Sequence, residues 1–294
     1  QLSSDVAMQS HNPQTQSGYN YFFLNDFQQS SRFGVTSESA NLNQVNFLTI
    51  ANNKWTTQSV DLTGYEGIVV VNGGVNVTGL TPHAHLGAMG GGTYTFGVGN
   101  QTMYMMGPNG IVNGGAGVDT VSLLGVRKSA SSITQSGSDV TIWSDWLDAG
   151  SGLTTLHHIA RVQFDDVNVA YDTGVGQNAG GVFRLYEAAF HREADSAGMG
   201  YWLNKIDNGA ALVDIANQFL ASQEFTNLYG SNPNAAQYVN ALYSNVLGRA
   251  ADAAGSAYWQ GQLQAGMSKA QLLVQFAESA EGVAHTASLV ANGI

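Results

Sequence analysis

Cysteine is absent from this 294-residue chain. Disulfides, zinc–thiolate sites and thiol nucleophiles are excluded with it. Charge is also scarce. Asp, Glu, Lys and Arg together make 11% of residues, against about a quarter in an average domain. Positive charge is scarcest: 10 Lys and Arg stand against 21 Asp and Glu, a formal net charge of −11. A phosphate-binding surface needs clustered Lys and Arg, so nucleic acid is not an expected partner. Divalent cations suit an acidic chain better. No apolar run approaches the roughly 18 residues of a membrane span, so none is expected. Enzyme signatures are missing as well: there is no Gly-x-Ser-x-Gly elbow, no Walker loop and no His-Glu-x-x-His. Gly87-Ala88-Met89-Gly90-Gly91-Gly92 opens no helix with nucleotide-binding spacing. The chain is therefore expected not to be an enzyme.

What is present is apolar and small. Hydrophobic residues make 44% of the chain, enough for a core, and the length suits about two domains. Gly, Asn, Gln, Ser and Thr stand where charges usually do. Such weakly charged surfaces suit β-rich extracellular proteins and subunits that bury surface in assemblies.

The strongest signal is a duplication. Leu185-Tyr186-Glu187-Ala188-Ala189-Phe190-His191-Arg192 recurs as Leu242-Tyr243-Ser244-Asn245-Val246-Leu247-Gly248-Arg249. Asp195, Ala197, Gly198, Tyr201 and Trp202 return as Asp252, Ala254, Gly255, Tyr258 and Trp259, at a constant offset of 57. Phe219 and Phe276, Ser222 and Ser279, and Glu224 and Glu281 keep it. An internal repeat of this quality organises the rest of the chain.

The pattern predicts an α+β chain with segregated domains. Residues 1–20 are polar and read as an extended arm. Residues 21–173 read as an all-β domain. Its runs, such as Gly67-Ile68-Val69-Val70-Val71, are short and bounded by Asn and Gly. Closely spaced glycines over 73–79, 85–97 and 102–112 fit a β-solenoid or β-roll, with a β-sandwich as the alternative. A hairpin is expected around Ser136-Gly137-Ser138. Past a glycine-rich boundary at 174–181 the apolar period becomes helical. Tandem copies at 182–225 and 239–282 read as an all-α domain of about six helices, followed by a tail over 283–294.

The motif Leu-Tyr…Arg-x-x-Asp-x-Ala-Gly-x-x-Tyr-Trp resembles a helical repeat of unassigned function that closes many RTX, type I-secreted bacterial surface proteins. Gly114-Gly115-Ala116-Gly117-Val118-Asp119-Thr120-Val121 resembles one glycine-rich calcium nonapeptide. Residues 114–172 are similar to the β segment that links such nonapeptides to the helical repeat. The resemblance implies calcium at Gly115, Gly117 and Asp119. A calcium ion takes six to eight oxygens, and one nonapeptide supplies half a site; the upstream Gly–Asn turns lack the Asp. It also implies secretion to the outside or surface of a bacterium, through a type I channel that would read the uncharged tail. Gln1 in place of Met reads as a processed or trimmed start.

Within the repeat, Asp195 and Asp252 are placed to cap helices. Arg192 and Arg249 are three residues earlier and suited to pairing with that Asp or with exposed carbonyls. Trp202 and Trp259 are expected in the core. The same six residues are also the candidates for a sugar- or lipopolysaccharide-binding groove. Asp165, Asp166 and Asp172 form a second acidic cluster. His83 and His85 lie on one strand face, whereas His157 and His158 point to opposite faces. The expected function is self-assembly into a layer, filament or matrix, with the arm adding to a neighbour's sheet. A carbohydrate- or lipopolysaccharide-binding adhesin is the alternative, and a polysaccharide-active enzyme the second alternative.

Overall fold

The computed structural model describes residues 58–63, 67–72, 75–82, 84–146 and 150–294, and the backbone of four earlier strands. The chain divides into two compact units, Gln1–Tyr171 and Asp172–Ile294.

The first unit is a β-solenoid of about three turns over residues 59–123. The early strands are β1 (Gln9–His11), β2 (Tyr21–Asn25), β3 (Phe33–Gly34) and β4 (Phe47–Ala51). The coils follow: β5 (Gln58–Asp61), β6 (Gly67–Asn72), β7 (Val75–Leu80), β8 (Ala84–Ala88), β9 (Gly92–Phe96), β10 (Thr102–Met105), β11 (Gly110–Asn113) and β12 (Thr120–Leu123). Even-numbered strands stack in parallel in one sheet and odd-numbered strands in the other. Strand alternation sends every second residue inward. Val69, Leu86, Met103 and Val121 therefore line up along one sheet, and Val60, Val77, Tyr94 and Val112 along the other. All eight are buried in one core. Contacts between coils join residues 17 or 18 apart. That is twice the nine-residue period of a β-roll, and the sandwich alternative falls away. From Gly67 to Val118 the coils carry no Asp, Glu, Lys or Arg.

The C-terminal end of the stack changes direction. Strands β13 (Ser132–Ser136), β14 (Asp139–Trp146) and β15 (Gly150–His157) form an antiparallel meander, and β15 joins β11 in parallel. The expected hairpin around Gly137 is the β13–β14 turn. Strand β16 (Arg161–Gln163) continues the other sheet, with β17 (Asn168–Ala170) antiparallel at its edge. Of the expected arm, Gln9–His11 pairs with β2; the rest of residues 1–20 lies outside the described residues.

The second unit is all helical. Its first four helices are α1 (Asn178–Phe190), α2 (Ser196–Asp207), α3 (Leu212–Leu220) and α4 (Gln223–Tyr229). The next four are α5 (Ala235–Leu247), α6 (Ala253–Gln264), α7 (Lys269–Ala277) and α8 (Ala280–Thr286). Every helix of the second copy begins and ends 57 residues after its counterpart. There are eight helices where about six were expected, because Ser222 and Ser279 each cap a further seven-residue helix. The first helix starts at Asn178, ahead of residue 182, and the second copy at Ala235, ahead of 239. The tail expected over 283–294 is partly α8, and Val290 is buried in the helical core.

Both copies share one core. One buried ion pair ties them together. Arg184, 2% exposed, donates to Glu278 through Nε (2.6 Å) and Nη2 (3.0 Å), and to the carbonyls of Thr173 and Gly174. Among the described residues no helix is long and apolar enough to cross a membrane.

Candidate functional site

The nonapeptide sits where one coil meets the next. Gly115 and Gly117 are there for close approach. A Cβ on Gly115 would lie 1.7 Å from the carbonyl oxygen of Gly97, and one on Gly117 2.5 Å from that of Gly99. Gly117 also has φ +128, a conformation that favours glycine. Asp119 is fully buried. Its Oδ1 accepts from the Gln101 amide at 3.0 Å, in the preceding coil, and its Oδ2 from the Gly115 amide at 2.7 Å. Burial pushes this carboxyl above its ordinary value, while the two amide bonds pull it back. The Gly97 carbonyl accepts from Ala116, and the Ala116 carbonyl from Gly99.

This arrangement does not fit calcium. A calcium site presents a shell of converging oxygens, but N–H dipoles point at both Asp119 oxygens. Those dipoles already supply the positive potential that an ion would bring. The carboxylate staples coil to coil in its place. In this structure Gly115, Gly117 and Asp119 together serve the packing of coil on coil.

The other acidic residues are also engaged. Asp165 accepts from the Gly125 amide. Asp166 caps a short 3-10 turn, Lys128–Ala130. Hydrogen bonds from the Ser129 hydroxyl and from the Ser129 and Lys128 amides hold its carboxyl down to about 2. Asp172 belongs to the helical unit and accepts from the Ala179 amide. Each of the three is thus held by backbone amides of its own. His83 lies outside the described residues, and His157 pairs with Asp139 at 2.9 Å. Among the described residues no three His, Asp or Glu side chains converge as metal ligands would.

In the helical unit the same small assembly appears twice. Asp195 caps α2 by accepting from Gly198 at 2.7 Å, and Asp252 caps α6 by accepting from Gly255 at 2.8 Å. Arg192 does not pair with its Asp. Its Nε and Nη2 grip Glu224 at 2.7 and 3.0 Å, and Arg249 grips Glu281 at 2.6 and 2.8 Å. Only Arg249 also approaches its Asp, with 3.8 Å from Nη1 to Asp252. The third arm of each fork reaches a backbone carbonyl, Glu193 or Ala250. Each guanidinium lies over an aromatic face: Arg192 over Tyr186 at 5.1 Å, Arg249 over Tyr243 at 4.9 Å. Trp202 packs edge-on against Phe219, and Trp259 packs at a tilt against Phe276. Both forks are engaged by partners within the repeat, so these six residues build its structure. The carbonyl contacts and the approach of Arg249 to Asp252 were expected; Glu224 and Glu281 were not, although they keep the 57-residue offset.

A small cleft opens between α1, α5 and α8, lined by Arg184, Glu187, Asn245, His285 and Thr286. Burial pushes the Glu187 carboxyl up, the charges of His191 and His285 draw it down, and Glu193 opposes them.

A family model described as "Domain of unknown function (DUF4214)" matches residues 170–213 and 216–286, the helical part of the chain. No curated protein and no solved structure matches.

Proposed function

We propose that this chain, whose helical unit is similar to a domain of unknown function, is a non-enzymatic bacterial surface or matrix protein. It is secreted, and it assembles with copies of itself into a layer, filament or matrix. The observation that carries this reading is the charge-free stretch of solenoid from Gly67 to Val118. Like charges are what normally keep soluble copies apart, and the buried centres of interfaces are depleted in charge. On this stretch Met89, Val98, Tyr104 and Ile111 are exposed, Val98 at 81%. A coil twice the length of an RTX nonapeptide supports the secreted context.

The test is particle mass and shape by light scattering and negative-stain electron microscopy. Ordered polymers are expected, and they are expected to survive excess chelator, because Asp119 is satisfied by amides. Val98→Lys, which places a charge on the bare stretch, is expected to shift the particles to monomer. A stable monomer of the unaltered chain at all concentrations would overturn the reading.

A further inference from the structure

We infer that the outer face of the β14–β15 ribbon is a binding platform for a neutral, β-linked polysaccharide. Three cross-strand pairs share that face: Thr141 with Thr155, Trp143 with Leu153, and Asp145 with Ser151. Residues between them, such as Val140, Ile142 and Leu156, point the other way into the solenoid core. Trp143 is the centre. It stands 53% exposed, with Leu153 44% exposed beside it, whereas Trp146, on the inward side of the same strand, is buried. A core tryptophan and a surface tryptophan three residues apart do different work.

The chemistry around Trp143 is that of a sugar contact. An indole face packs against the axial C–H groups of a pyranose. Hydroxyls and one carboxylate stand one step away on either side, about 7 Å along the strand for two residues of rise. Thr141 and Thr155 supply hydroxyls on one side. On the other side Ser151 donates to Asp145, which holds that carboxylate ready to accept from a sugar hydroxyl. Each strand runs for eight residues, so the platform suits an extended chain, not a single enclosed sugar. Charge decides the class. No Lys or Arg lies on β13, β14 or β15, so nothing there would neutralise an acidic polysaccharide or a phosphate. Asp145 would repel both. A second copy of this chain is the competing occupant. The platform adjoins the charge-free coils, with Ile111 of β11 paired to Thr155, so retardation and particle mass are read together to tell sugar binding from self-assembly.

The experiment is native affinity electrophoresis of the full chain through gels holding hydroxyethyl cellulose, a soluble neutral β-glucan, or polygalacturonate. Particle mass is measured in parallel by light scattering. The expected result is retardation by the β-glucan alone. It falls at least tenfold in Trp143→Ala, with circular dichroism and particle mass unchanged, and Trp143→Tyr keeps most of it. Asp145→Asn with Ser151→Ala gives a smaller loss, and this second variant decides the matter if Trp143→Ala fails to fold. No retardation by the β-glucan, or retardation equal in wild type and variants, overturns the proposal. So does a Trp143→Ala protein whose particle mass drops while its retardation persists, since the face is then a contact between copies.

Discussion

Removing the Asp119 side chain separates an ion ligand from a coil staple at the level of one residue. Asp119→Ala strands the buried amide of Gln101 and the part-buried amide of Gly115. Each unsatisfied buried donor costs about 1–3 kcal/mol, so a loss of about 3 kcal/mol is expected in urea unfolding. Added calcium is expected to leave the midpoint of both proteins where it was. A calcium-dependent rise in the unaltered protein alone would restore the ion. Glu187 offers a pH test. Its folded value lies above 4.5 because burial disfavours its charge, so its neutral form stabilises the fold. That contribution is complete below 4.5 and is lost as pH rises through the folded value. Comparing urea midpoints of Glu187→Gln and wild type from pH 4 to 8 cancels the other carboxylates. The variant is expected to gain relative stability with rising pH. Asp166 has the opposite sign: its contribution is present above 3.8 and is lost as pH falls toward 2. The residues of the nonapeptide were legible in the sequence. Their partners were not, because the coil length slips between 17 and 18 and no fixed offset leads from Asp119 to Gln101.

At the scale of elements, two kinds of signal differ in how far they reach. The 57-residue offset located the long helices, and alternation with closely spaced glycines located the solenoid. The seven-residue helices α4 and α8 are under two turns long, too short for a 3.6-residue period to be seen. The caps that open them were in view, since Ser222 and Ser279 keep the offset. Ser279 accepts from the Gly282 amide at 3.0 Å. Ser279→Ala is expected to cost about 1 kcal/mol, read as a lower thermal midpoint for the helical unit. Adjacent strands of the first unit posed a different difficulty. A short apolar run pairs equally well in a sandwich or a coil, and only its in-register neighbours decide. The charge-free stretch from Gly67 to Val118 is plain in the sequence, but it gains meaning only once those residues are seen to form successive coils.

Across the whole molecule, composition spoke to class but not to task. Scarce charge, absent cysteine and segregated β and α patterns agree with the two units observed. The Arg-Asp-aromatic motif pointed first to a core and secondarily to a groove, and the engaged forks of Arg192 and Arg249 agree with the core reading. One feature of the helical unit, the Arg184–Glu278 pair, bears on how it behaves as a body. The equivalent positions in the opposite copies are Ala241 and Ala221, so the lock exists once and breaks the symmetry of the duplication. The residues it joins are 94 apart. The two copies are therefore not beads that melt one by one. Calorimetry is expected to give the helical unit a single cooperative transition. Arg184→Ala, which leaves Glu278 only the Gly176 amide, is expected to lower it by about 3 kcal/mol without splitting it in two. A duplicated gene segment has here become one indivisible fold, and a third copy appended to it would find no lock to enter.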